Sequence, residues 1–107
     1  MTTPPGDAAG ILSEVSAGDR AAMRQGDVAA WSREGWEVSR EFAYGTVLAD
    51  PCAAVPAERP VITEAITRRL IPIVRRQAAR GGIRLARILD AVLDPARAAD
   101  NPIAARR

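Results

Sequence analysis

Ile71 to Leu89 reads I-P-I-V-R-R-Q-A-A-R-G-G-I-R-L-A-R-I-L. Within and around it, apolar residues recur every three or four positions: Ile62, Ile66, Leu70, Ile73 and Val74, then Leu85, Ile88, Leu89 and Val92. That is the period of one helix face. Arg80, Arg84 and Arg87 fall on a neighbouring arc. The pattern predicts helix from Val61, with a kink or a restart near Pro72, because proline lacks the N–H and crowds the preceding turn. Gly81-Gly82 weakens the helix again, by about 1 kcal/mol per glycine relative to alanine. Asp94-Pro95 ends it.

Working outward, the N-terminal side shows the same period in shorter pieces. Residues 1–10 are expected to be disordered apart from Asp7, which is placed to start a short helix carrying Ile11, Leu12 and Val15 on one face. Ser16 and Asp19 have capping-box spacing, with Asp in place of the usual Glu, so a second helix is expected over 17–25. Gly26 closes it. Asp27 then caps a third helix running from Val28 to about Leu48, with Trp31, Val38 and Phe42 near helical spacing. Pro51, Pro56 and Pro60 make 50–60 a loop around Cys52. There is no strand signal, no repeat and no long heptad run. The expectation is an all-α chain, a small helical fragment or bundle of about four to five helices without a sheet. The helical segment spans 11–94, and 95–107 form a flexible tail.

Composition agrees with a thin helical core. Apolar residues are 48% of the 107, but aromatics only 4%. Alanine favours helix yet buries little per residue, and a chain this short buries only about two-thirds of its unfolded surface. All 15 basic residues are arginine, which points to a base-composition bias of the coding DNA. The net charge of +2 hides an asymmetry. Residues 1–60 hold five Arg against nine acids, and 61–107 hold ten Arg against four. A basic C-terminal half either meets an acidic partner or a nucleic acid backbone, or is a solvated helix face.

Several chemistries are excluded or weak. Without histidine, Ser-His-Asp and Cys-His arrangements are impossible. Cys52 is the single cysteine, so no intrachain disulfide forms, and nearby Asp50 disfavours its thiolate. Gly81-Gly82 is not followed by the Lys-Ser/Thr of a phosphate-binding loop. No aromatic interleaves with Arg75, Arg76, Arg80, Arg84 and Arg87 to stack bases. Met1 onward lacks the basic and apolar regions of a secretory signal, so the chain as written would stay in the cytoplasm. No apolar run is long enough to cross a bilayer.

Two ordered segments nevertheless resemble one family. Gly26-Asp27 leads into W-S-R-E-G at Trp31–Gly35, and Trp31 with Glu34 is similar to a Trp-Ala-x-Glu-Ser helix. Later come Pro72-x-Val74, then Gly82-Ile83-Arg84-Leu85-Ala86, then Ile88-Leu89-Asp90. These resemble a closing helix of the form Pro-Val-Val, Gly-Val-Arg-Leu-Ala, Leu-Asn. The family is the S-one/P-one group of zinc-dependent single-strand nucleases, relatives of bacterial zinc phospholipase C. Ser32, Gly35, Ile66-Thr67 and Asp90 depart from its pattern.

The resemblance implies a mainly helical fold and a hydrolase in which three zinc ions activate water against a phosphodiester. It implies that the zinc ligands, histidines and aspartates, lie upstream of the matched region. It also implies that nucleic acid is the substrate of the intact enzyme, and that intact members are usually exported. Neutral imidazole suits zinc, and this chain has none. No cofactor, catalytic residue or metal ligand is therefore carried over, and the chain is expected to be inactive alone. Trp31, Glu34, Pro72, Gly82, Arg84, Leu85 and Ala86 are structural motif positions. Arg84 is expected in an ion pair or a helix-end contact, while Arg76, Arg80 and Arg87 are weak candidates for phosphate contact. The partner is a zinc-bearing N-terminal half, or another copy through exposed apolar helix faces, with no membrane role. The competing class is a non-enzymatic helical interaction protein that docks through its basic C-terminal half.

Overall fold

A computed structural model describes residues 4–45 and 59–103. The order is α1 (Pro4–Ser13), α2 (Ala17–Arg24), α3 (Val28–Val38), a π-helical turn (Ser39–Tyr44), α4 (Glu64–Leu93) and a 3-10 helix (Pro95–Asp100). No strand occurs among the described residues, so the chain is all-α. The loop expected around Cys52 lies almost wholly outside the described residues, as do residues 1–3 and the last four of the tail.

Local chemistry accounts for the helix ends. Ser16 is extended, at φ −64° and ψ 159°, and its hydroxyl accepts from the Asp19 N–H at 3.1 Å. That is the reading of the Ser16–Asp19 spacing realised. α2 then stops at Arg24, and Gly26 turns the chain with φ 89°, a conformation that favours glycine. Thr63 starts α4, its hydroxyl accepting from the Ile66 N–H at 3.2 Å. Asp94 accepts from the Ala96 N–H at 3.0 Å at the head of the 3-10 helix.

Four expectations need correction. Helix begins at Pro4, inside the stretch expected to be disordered, and Asp7 lies in its first turn. Proline suits that turn because its missing N–H would have no helical acceptor there. The tail is helical as far as Asp100. The third helix changes to π-type at Ser39, where Gly45 donates to the Arg40 carbonyl. Finally, α4 runs unbroken through Pro72 and Gly81-Gly82. Pro72 deprives only the Arg68 carbonyl of a backbone donor, and Arg68 is exposed.

One compact unit comprises Met1–Val28 with Arg75–Arg107, and the other Ala29–Val74. In the first, Val15, Met23 and Ala79 form a buried cluster, against which Ile11 and Ile83 pack. Ala91 is buried as well. In the second, no described residue is fully buried, and Trp31, Phe42 and Ile66 are half-buried. Arg40 lies over the exposed Trp36 ring at 4.6 Å, and Glu64 pairs with Arg68 at 2.5 Å across one turn. Alanine-rich faces bury too little per residue to extend the core of the first unit.

Two glycines separate helix propensity from turn geometry. A Cβ on Gly81 would meet nothing within 4 Å. Gly81→Ala should therefore raise stability by about 1 kcal/mol. Gly26→Ala should lower it by about 1 kcal/mol, because the left-handed backbone penalises a side chain. Urea unfolding followed by circular dichroism checks both signs.

Candidate functional site

The first unit contains what could be a site. It is built by arginines of α4 reaching α1 and α2. Arg75 donates through Nε to Glu14 Oε1 at 2.8 Å and Oε2 at 3.1 Å. Arg76 pairs more loosely with Asp19, at 3.4 Å. One turn on, Arg80 donates to Gln77 Oε1 at 2.7 Å. Arg84 Nε donates to the Met23 carbonyl at 3.0 Å. Arg87 donates to the carbonyls of Arg24 and Gly26, the latter at 2.9 Å, and to Asp100.

The last two contacts share a purpose. The final carbonyls of a helix lack intrahelical donors and sit at its negative end. Met23 and Arg24 close α2, and both of their carbonyls receive guanidinium from α4. Arg20 does the same for α1, donating to Leu12 O at 2.5 Å and Val15 O at 3.2 Å. α1 has no basic residue in its own last turn, so the cation arrives from the next helix. The planar fork of arginine can serve two acceptors at once, which lysine does poorly.

The sequence-derived positions are thereby located. Arg84 makes a helix-end contact. Arg76, Arg80 and Arg87, weighed as phosphate contacts, each hold acceptors inside the chain. Gly82 and Ala86 share one face of α4 with Leu85 beside them, whereas Arg84 faces α2. Trp31 and Glu34 sit half-buried on α3, and Pro72 is exposed on α4, all three in the second unit.

Two features escape the sequence. The Arg75–Glu14 pair joins residues 61 apart, with no local signal to announce it. The hydrogen bond from Arg75 holds the Glu14 carboxyl below the usual glutamate range. A carboxyl lowered on folding contributes stability that is present at neutral pH and lost as pH falls through that range. Glu14→Gln should lower the melting temperature slightly at neutral pH and remove this part of its fall towards acid, so that the two proteins converge at low pH, as seen in melting temperature against pH. The effect is small, because the pair is solvent-exposed.

The second feature is an apolar groove of about 350 Å³ between α1 and α4. Ile11 and Leu12 form one wall; Ala79, Gly82, Ile83 and Ala86 form the other. Apart from Ile83, the α4 residues that line it are alanine and glycine. Alongside it on α4 stand Leu85, Leu89 and Val92, 55%, 46% and 61% exposed.

Nothing in this arrangement suits the zinc cluster that the resemblance implies. Among the described residues no three of His, Cys, Asp or Glu gather where a metal ion could be held. Five acids of the first unit pair with arginines: Glu14 with Arg75, Asp19 with Arg76, Asp100 with Arg87, and Asp90 and Asp94 with Arg97. No described helix is long and apolar enough to cross a membrane. Comparison with protein-family models, with curated proteins and with solved structures yields no match.

Proposed function

We propose that this chain is the closing helical part of an S-one/P-one-like nuclease domain, a scaffold whose zinc-bearing part is supplied by other residues. The supporting observation is the way α4 meets the stretch ahead of Trp31. Arg84 and Arg87, within and just after Gly82–Ala86, hold the Met23 and Gly26 carbonyls, so the second motif segment buttresses the start of the first. The remaining apolar face, Leu85, Leu89 and Val92, is open to receive further helices. In this role the chain positions and buries, and the hydrolytic chemistry belongs to the zinc-bearing part. Nucleic acid is a substrate of the assembled enzyme.

The test is metal content and cleavage together. The purified chain should bind no stoichiometric zinc and cut neither single-stranded DNA nor RNA. Expressed with an upstream segment bearing a His-x-x-x-Asp helix and further histidines, it should acquire both properties. Several zinc ions per isolated chain, with chelator-sensitive cleavage, would overturn the proposal. So would coding DNA upstream of Met1 that, in every frame, lacks such a helix.

A second reading, a non-enzymatic helical interaction protein, is favoured by the same open face. It predicts docking by apolar contact. Arg75, Arg76, Arg84 and Arg87 already hold acceptors within the chain, so binding to DNA or RNA should be weak even at low salt. Tight binding that falls steeply with salt would instead show free phosphate-directed cations.

A further inference from the structure

The 3-10 helix Pro95–Asp100 adds nothing to the apolar core of the first unit, since all six of its residues are exposed. Beyond it Asn101 and Pro102 are half-buried and Ile103 is exposed. Hydrogen bonds of the 3-10 type also hold less well than those of an α-helix. Yet the segment does not run on away from α4. Asp100 reaches back to Arg87, so 95–100 doubles back beside the last two turns of that helix.

Charge holds it there, in a reciprocal pattern. The cation of the segment, Arg97, pairs with Asp90 of α4 at 3.3 Å and with Asp94 at the helix end at 3.6 Å. Its anion, Asp100, pairs with Arg87 at 3.3 Å, and the Asp100 carbonyl accepts from the same guanidinium at 3.2 Å. Each sign on the segment therefore meets the opposite sign on α4. The side chains of Asp90, Asp94, Arg97 and Asp100 are all about half exposed, so dissolved salt reaches them. Exposed pairs of this kind are individually weak.

What the segment lies against is better protected than the segment itself. Arg87 and Ala91 stand one turn apart on α4, the same side from which Arg84 and Arg87 reach α2. Ala91 is among the few buried residues, although α2 already stops at Arg24, level with Arg87.

We propose that Pro95–Asp100 is an ionic strap, closed over the Arg87 and Ala91 face of α4 and released as a local unit when its charge pairs are weakened. The Val15, Met23 and Ala79 cluster is apolar, so loss of those pairs leaves it shut. Opening uncovers Ala91 and the outer edge of the Arg87 guanidinium while α1, α2 and α4 stay packed. The proposal is independent of the nuclease reading, and its test involves neither zinc nor nucleic acid.

Thiol labelling reads the opening directly. In a background where Cys52→Ser removes the native thiol, Ala91→Cys reports the strap and Ala79→Cys reports the core. Ala91→Cys should react with an aromatic disulfide reagent much faster than Ala79→Cys, although both alanines are buried. At 1 M sodium chloride, where screening acts over about 3 Å, the Ala91→Cys rate should rise roughly three- to tenfold. Asp100→Asn and Arg97→Gln should each raise it at low salt and blunt the response to salt. Amide exchange in the unsubstituted chain, read by nuclear magnetic resonance, avoids any disturbance from the new thiol. The Arg97 and Asn101 N–H groups, which donate to the Asp94 and Ala98 carbonyls, should exchange faster in 1 M salt. Amides in the middle of α4 should keep their protection.

Equal labelling rates at Ala91→Cys and Ala79→Cys would overturn the proposal, because the strap would then open only when the whole unit unfolds. So would faster labelling at Ala91→Cys that ignores salt, Asp100→Asn and Arg97→Gln alike, since charge would not be what holds the segment.

Discussion

Met23→Ala should lower the unfolding free energy of the first unit by about 2–4 kcal/mol, the cost of truncating a buried unbranched side chain and leaving its cavity. Met23 is 4% exposed and is the largest side chain of a cluster otherwise made of Val15 and Ala79. A small domain holds only about 5–15 kcal/mol in total, so this is a large fraction of it. The cavity would lie where α2 meets α4, next to the Met23 carbonyl that accepts from Arg84. Packing and helix-end bonding should therefore fail together. The measurement is the urea midpoint followed by circular dichroism. Leu93→Ala is the control: Leu93 is 76% exposed, and its truncation should change stability by less than about 0.5 kcal/mol. Equal losses at both positions would mean that Met23 is not core.

Arg87→Ala should cost about 2–3 kcal/mol, since hydrogen bonds from a charged donor exceed neutral ones and their acceptors are left without a donor. The Arg87 side chain is only 14% exposed. It gathers the Arg24 and Gly26 carbonyls and Asp100, tying the end of α2 and the 3-10 helix to α4. Arg87→Lys should recover only part of the loss, because an ammonium is not a planar fork. Asp100→Asn should cost much less than Arg87→Ala, since the Asp100 side chain is 54% exposed and the carbonyl bonds persist. Arg84 and Arg87 serve the same helix end, so the double alanine variant should differ measurably from the sum of the singles. Should Arg87 act as a phosphate contact, its removal would lower nucleic acid binding and leave the melting transition in place.

These two residues show how far the sequence could be read. Arg84 and Arg87 were visible as an arc beside the apolar stripe of α4, and the motif position of Arg84 suggested a helix-end contact. Which helix end it served was not visible. Met23, in the short second helix, carried no periodic signal strong enough to mark it as core. Conversely, Leu85, Leu89 and Val92 read as an apolar stripe and are one, but exposed. Periodicity reports that a face is apolar, and only the number of helices packed around it determines whether it is covered. Pro72 and Gly81-Gly82 misled in the other direction. Each lowers helix propensity locally, yet the α4 pattern on either side continues in phase through them, and the residues at Pro72 lie exposed, where a missing backbone bond is tolerated.

From its residues alone this chain is legibly helical. The Ser16–Asp19 cap, the Gly26 stop, the Asp94-Pro95 terminus and the period of α4 are local properties, acting over one turn of backbone, and a linear reading captures such signals. Tertiary structure alone decided that α4 belongs partly with α1 and α2 and partly with α3. It also decided that arginines rather than apolar bulk close the ends of α1 and α2. The bonds responsible join residues as far as 63 apart, for Arg87 and Arg24, and a donor at that remove leaves no mark beside its acceptor. A core of few, small side chains transmits little of its own arrangement into sequence pattern, so long-range guanidinium contacts settled how these helices fit together.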